Sequence, residues 1–322
     1  AEFYQEVLNW GDQQLFPAGL TLNTKDSDKE AISAEDAFAH LFNKKDLSGI
    51  QEAVFWKKYS LNDGIFNALG GLLSSGVVNT DGPAGLSKSL VDNYLYTDGT
   101  FIDPAELKFK DFNQMFKDRD ARLLATVMHT GCKYRSNAGA TASKPMNVRA
   151  YDPTGTKEEI KLKNDDIVSP SLNGNGNSKN VTGFHIRMGI DTTYVDGNSE
   201  TAIIMFRYAD VLLAKAEAMN ELNGPSEEAI EWVNQIRRRA NATEIKLVDF
   251  NKDTFRDFIL DERGRELYCE GHRRDDLIRH GKYIEYARKD GMDAKDYHIL
   301  FPIPQKALNE NSNLKQNPGY EN

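Results

Sequence analysis

Residues 206–240 read FRYADVLLAKAEAMNELNGPSEEAIEWVNQIRRRA. In the first half, Ala209, Leu212, Leu213, Ala216 and Met219 recur at three- and four-residue steps, which puts them on one face of an α-helix. Gly224-Pro225 stops that helix. Ser226 is then placed to cap a second helix, with Glu227 and Glu228 at the positive end of its dipole, Ala229, Val233, Ile236 and Ala240 as its stripe, and Arg237, Arg238 and Arg239 at its negative end. Two helices joined by so short a turn fold back on each other, and the alanines permit close approach. This is the unit of tetratricopeptide-like repeats, in which neighbouring units complete each core. Residues 203–240 are expected to form such a pair. The expected fold class is mainly α, built of tetratricopeptide-like helical pairs with a loop-rich face and a few short β-strands.

Downstream, a third helix is expected from about Thr254 to Glu270, broken at Gly271 and resumed through Asp275–His280 before Gly281. The tail beyond is punctuated by Pro and Asn and reads as extended chain on the surface. Upstream, Phe3, Val7 and Leu8, and then Ala34, Ala37, Phe38, Leu41 and Phe42, carry helical spacing in residues 1–48, with Pro17 and Gly19 between the two runs and Ser33 as an N-cap. Ala53–Tyr59 has strand composition, and the Gly-rich run after it reads as loop. Residues 131–200 read as a loop-rich insertion, with short strands expected at Val148–Tyr151, Glu159–Leu162 and Phe184–Gly189. Residues 1–322 as a whole are expected to be a single helical domain, incomplete at its N-terminus, because the chain opens on a helix already under way. Any secretion signal or lipid-anchoring cysteine would then lie upstream.

Of the 322 residues, 39% are apolar and 28% charged, and no window approaches the run of about 18 apolar residues that a membrane-spanning helix needs. The net charge of −9 repels phosphate backbones, so nucleic acid is not an expected partner. Cys132 and Cys269 are too few for a disulfide framework and are expected to stay free; they leave the redox compartment open.

Charge concentrates in residues 260–283, LDERGRELYCEGHRRDDLIRHGKY, where Glu262, Glu266 and Glu270 stand four apart on the expected helix. A glycoside hydrolase needs two carboxylates about 5–10 Å apart across a cleft, one with a raised pKa. Carboxylates on one face of one helix flank nothing. Arg263, Arg265, Arg273, Arg274 and Arg279 lie within a turn or two and push carboxyl pKa values down. Ion pairing along an exposed helix is the plainer reading, and it assigns this segment to the frame. His272 and His280 lack metal-ligand spacing, so no metal and no cofactor is expected. Gly82–Ser89 departs from the phosphate-binding loop at Ser87 and reads as an ordinary loop entering a helix at Lys88.

Aromatic side chains outside the helical stripes offer flat faces on which the C–H faces of sugar rings stack, while Asn, Asp and Arg bond the hydroxyls. Trp56, Tyr59, Tyr134 and Tyr151, with Asn62, Asp63, Arg135 and Arg149 close to them in sequence, are the candidate ligand-binding residues. For Trp56 and Tyr59 the competing reading is that strand aromatics simply pack.

The run Phe206–Ala218 resembles the signature helix of the SusD/RagB family, which reads R-Y-A-D-V-L-L and then A-E-A. The resemblance continues in family order through Val233–Ala240, Asp261–Leu267, Glu270–Leu277, Phe301-Pro302-Ile303-Pro304 and Gln316–Tyr320. Looser matches at Ser87–Gly99, Lys117–Leu123 and Thr182–Arg187 extend it over residues 45–322. It implies a helical, non-catalytic, lipid-anchored protein on the outer surface of the outer membrane that binds oligosaccharide or polysaccharide and delivers it to a TonB-dependent (SusC-like) transporter. The resemblance also implies a further N-terminal portion, which this chain is expected to lack or to have lost. A helical-repeat adaptor for protein partners shares the scaffold and is the alternative; a glycoside hydrolase is the weaker one.

Overall fold

The computed structural model describes residues 1–15, 19–26, 30–68, 86, 88–101, 116–127, 129, 133–134, 144–145, 186–189 and 198–320. They divide into two compact units, Ala1–Glu270 and Gly271–Asn322.

In chain order the first unit has α1 (Glu2–Trp10) continued by a π-helical turn (Gly11–Leu15), α2 (Ala34–Asn43), β1 (Ala53–Lys57), a 3-10 turn (Leu61–Asp63), α3 (Lys88–Asn93) and α4 (Ala121–Thr126). Next come β2 (Lys133–Tyr134), β3 (Lys144–Pro145), β4 (Ile203–Arg207), α5 (Tyr208–Asn223), α6 (Glu227–Arg239) and α7 (Lys252–Glu266). The fold is mainly α, as the spacing of apolar residues predicts. Caps form where expected: Ser33 Oγ accepts the Asp36 amide at 3.0 Å and Ser226 Oγ accepts the Ala229 amide at 3.2 Å. Helix α7 begins at Lys252, ahead of Thr254, because Asn251 and Thr254 close a capping box. It ends at Glu266, short of Glu270, where Cys269 (φ 60°) and Gly271 (φ 88°) turn the chain into the left-handed region.

The hairpin α5–α6 forms around Gly224, and α5 also packs on α1 and α7. Its stripe residues Ala209, Leu212, Leu213 and Ala216 are buried with Val233, Ile236, Phe255 and Ile259 in one apolar cluster. A second cluster joins α2, α3 and α4 through Phe38, Leu41, Leu47, Val91, Tyr94 and Leu123. Truncating one of these, such as Phe38 to Ala, is expected to cost about 3–5 kcal/mol.

Strands β1 and β4 pair antiparallel from Ala53 opposite Arg207 to Lys57 opposite Ile203, with irregular register on either side of Phe55. Strand β2 pairs with β3. Of the strand expected at 184–189, Ile186 makes a single bridge to Val127 and Met188-Gly189 lie in a turn; the segments 148–151 and 159–162 lie outside the described residues. Cys269 is a free, exposed thiol, and Cys132 lies outside the described residues.

In the second unit α8 (Arg273–Arg279) is followed by α9 (Tyr283–Lys289), a 3-10 turn (Asp296–Ile299) and α10 (Gln305–Glu310). The extended tail expected beyond Gly281 therefore contains two further helices. Proline stops a helix that precedes it but suits an entry: Pro304, at φ −57°, is the N-cap of α10. Gly319, at φ 85°, lies against the Tyr297 ring, where a Cβ would come within 2.3 Å of ring carbon.

Candidate functional site

The run Ala53-Val54-Phe55-Trp56-Lys57 is rich in β-branched and aromatic residues and forms a strand whose side chains alternate between two environments. Val54 and Trp56 turn inward, Trp56 half-buried against the cluster that holds Phe38. Phe55, 61% exposed, and Lys57 turn outward, beside Met205 of β4, which is 50% exposed. The Lys57 ammonium stands 5.0 Å from the centroid of the half-buried Tyr59 ring.

Beyond Tyr59, Ser60 and Ile65 exchange backbone hydrogen bonds of 2.7 and 2.9 Å and close a small loop over the 3-10 turn, with Gly64 at φ 70°. Glu200 pins it from outside, accepting the Leu61 amide at 2.8 Å and the Lys45 ammonium at 2.6 Å. Asn62 and Asp63 are exposed on this turn, and Ile65 and Phe66 stand exposed just after it. Asn67 then rejoins Ser199 through paired backbone bonds of 2.9 and 2.7 Å. Residues 53–68 thus form a ribbon that exposes aromatic rings, the ammonium groups of Lys57 and Lys58 and a polar tip.

Of the eight residues picked out by sequence, Trp56, Tyr59, Asn62 and Asp63 share this ribbon. Trp56 packs one side against the core cluster and stays half-buried. Tyr134 lies on β2, where the structure describes the backbone; Arg135, Arg149 and Tyr151 lie outside the described residues. Phe55, Lys57, Phe66 and Met205, also exposed here, are not among the eight. The period-two alternation of β1 separates Phe55 from Trp56 in sequence, and packing decides which of the two faces out.

The acids of 262–270 have a different fate. Five guanidiniums, those of Arg122, Arg207, Arg237, Arg239 and Arg265, meet five carboxylates, those of Glu52, Asp120, Glu262, Glu266 and Glu270, in one buried network. Arg122 reaches Asp120 at 2.6 Å, Glu262 at 2.7 Å and Glu266 at 2.9 Å. Arg207 reaches Glu52 at 2.7 Å, Glu266 at 2.5 Å and Glu270 at 2.7 Å. Arg239 holds Glu52 and Glu266. Aromatic faces line the knot: Arg207 and Arg239 lie over Phe38, Arg237 and Arg265 over Phe258.

Ion pairing is therefore the right reading of these acids, but in the interior rather than along an exposed helix. The partners Glu52, Arg122 and Arg207 come from far upstream in the chain. Burial by itself would raise the Glu266 carboxyl, yet the guanidiniums of Arg239, Arg207 and Arg122 outweigh it and hold the group at about 2. Burial works the same way on Glu262, and Arg122, Arg265 and Arg237 hold it well below the carboxylate range. Neither group is placed to act as a general acid.

A shallow cavity of about 330 Å³ opens between residues 20–24 and the α5–α6 hairpin, lined by Leu22, Tyr208, Gln235, Arg238 and Arg239. Its cations are already engaged, Arg238 by Glu231 and Glu244 and Arg239 by the knot. Among the described residues no cluster of His, Cys, Asp and Glu has the makings of a metal site, and no helix is long and apolar enough to cross a membrane.

Against known proteins, the family model described as the SusD family matches residues 52–320. The SusD-like protein P38 of Formosa agariphila is 44% identical over 131 residues, a match taking in 38% of this chain and 25% of that protein. The starch-binding protein SusD of Bacteroides thetaiotaomicron is 34% identical over 131 residues, 38% of this chain and 22% of that protein. The matched stretch is thus about a quarter of these relatives' length. Among solved structures, a SusD-like protein from Bacteroides fragilis superposes with a TM-score of 0.70 at 20% identity, covering 98% of this chain and 62% of that one. At that identity the likeness speaks for the fold.

Proposed function

The chain belongs to the SusD family, and from that premise we propose that it binds oligosaccharide or polysaccharide without catalysis. In this reading the protein is lipid-anchored at the cell outer membrane, exposed on the surface, and delivers its ligand to a TonB-dependent (SusC-like) transporter. The similarity to a relative named for binding starch supports a saccharide ligand.

The observation that carries the reading in this chain is the outer side of the 53–68 ribbon, where the exposed Phe55 and the half-buried Tyr59 lead into a polar turn bearing Asn62 and Asp63. Sugar rings present C–H faces to the aromatic rings and hydroxyls to Asn and Asp, and aromatic anchors of this kind dominate binding energy at a shallow site. Tyr134, Arg135, Arg149 and Tyr151 are proposed to meet the same ligand from the 131–200 insertion.

Titration calorimetry of the full-length protein against a panel of oligosaccharides tests this, with chromatography of the sugars after prolonged incubation. Saturable binding and unchanged sugars are expected. Cleaved product, or a protein partner captured in place of any sugar, counts against it.

A further inference from the structure

We propose that the saccharide taken by the 53–68 ribbon is an acidic one, bearing carboxylate or sulfate groups, and that Lys57 selects it. This rests on the glycan-binding reading of the same ribbon and adds its substrate class.

Three lysines stand in or beside this segment, and two are engaged: Lys45 pairs with Glu200 at 2.6 Å and Lys58 pairs with Asp46. Lys57 makes no ion pair among the described residues. Its side chain is exposed, like that of Phe55, and its ammonium is held over the Tyr59 ring at 5.0 Å. The ring's negative face positions the cation next to the platform instead of leaving it to sample solvent.

A sugar ring stacked on Phe55 beside the Lys57–Tyr59 pair excludes water from the ammonium. A neutral sugar would strip that hydration and return only hydroxyl contacts, whereas a carboxylate or sulfate returns a charge-assisted hydrogen bond. The gain depends on the stacked ring, because attraction between unit charges is about four times stronger at an effective dielectric constant of about 20 than in bulk water. The overall charge of −9 does not oppose this at close range, since fields from distant charges are screened over about 8 Å at physiological salt. The one carboxylate of residues 53–68, Asp63, sits on the turn and is free to accept hydroxyls.

The test uses the full-length protein and pairs of sugars that share a backbone and differ in charge: an oligogalacturonide with its methyl-esterified form, and a sulfated galactan fragment with its desulfated form. The charged member of at least one pair is expected to bind about five- to tenfold more tightly at low salt, an advantage that fades in 0.5 M NaCl (roughly a 4 Å screening length). Whichever pair shows the difference distinguishes carboxylate from sulfate recognition. Lys57→Met, which keeps the aliphatic stem, is expected to abolish the advantage without shifting the melting temperature, and Lys57→Arg to restore it. Equal binding of charged and neutral members, or a Lys57→Met protein that still prefers the charged sugar, overturns the inference and leaves glycan binding standing. No binding by any member of a panel that also includes neutral glucans overturns the glycan-binding reading and this inference with it.

Discussion

The buried knot around Glu266 and the outer side of the 53–68 ribbon are made of much the same residue types, aromatic rings and charged groups, and they do opposite things. In the knot each carboxylate meets at least one guanidinium, and Glu262 and Glu266 meet three apiece. On the ribbon Asn62 and Asp63 face the solvent and Lys57 is held, among the described residues, only by the Tyr59 ring, beside rings that are half-buried or exposed. Charge density alone therefore points to the frame. The face proposed for binding is marked instead by polar and aromatic groups that the fold itself has not satisfied.

Removing one acid from the knot breaks the comparison most severely. Glu266→Ala removes the one carboxylate that Arg122, Arg207 and Arg239 all meet, and a loss of about 3–5 kcal/mol is expected, read as a lower urea midpoint. A midpoint shift below about 1 kcal/mol would place the network among surface pairs that contribute little.

Acid reaches the same knot without mutation. The Glu266 carboxyl has a folded pKa of about 2 against an ordinary value of 4.5. A depressed carboxyl stabilises the fold fully above its unfolded pKa and loses that contribution as pH falls through the folded one. Glu262 is shifted the same way. Stability followed by circular dichroism should hold from neutrality to about pH 5 and fall between pH 4.5 and 2. A protein whose stability is flat across that window has no such network.

The ribbon should respond in binding and not in stability. Tyr59→Ala and Phe55→Ala are each expected to weaken saccharide binding about tenfold, by calorimetry, and Phe55→Ala to change stability by less than about 0.5 kcal/mol. The smallest effect is expected from Asn62→Ala, a two- to threefold loss of affinity at roughly 0.5 kcal/mol for one exposed hydrogen bond. If the order were reversed, with Asn62 dominant and the rings neutral, the ribbon would be a hydrogen-bonding site and not a stacking platform.

Much of the frame was legible in the residues. The stripe from Ala209 to Ala216, the Ser226 and Ser33 caps and the Gly224-Pro225 turn all act within about four residues of themselves, and local chemistry settles them. The hidden parts depend on remote chain. Glu262 and Glu266 look like an exposed acidic row until Arg122 and Arg207, more than fifty residues away, are brought against them. Trp56 and Phe55 are adjacent and both aromatic, and the core beneath β1 makes one a packing residue and the other a candidate for ligand.

What the residues by themselves determined is a helical, acidic, family-typical frame with strand composition at 53–59, because capping, periodicity and breaking of helices are short-range effects. Which charges are sealed and which rings are offered was decided only when distant segments closed over them. Burial is a property of the whole packed chain, and a carboxylate or an aromatic ring takes its role from the partners and the water that packing leaves it.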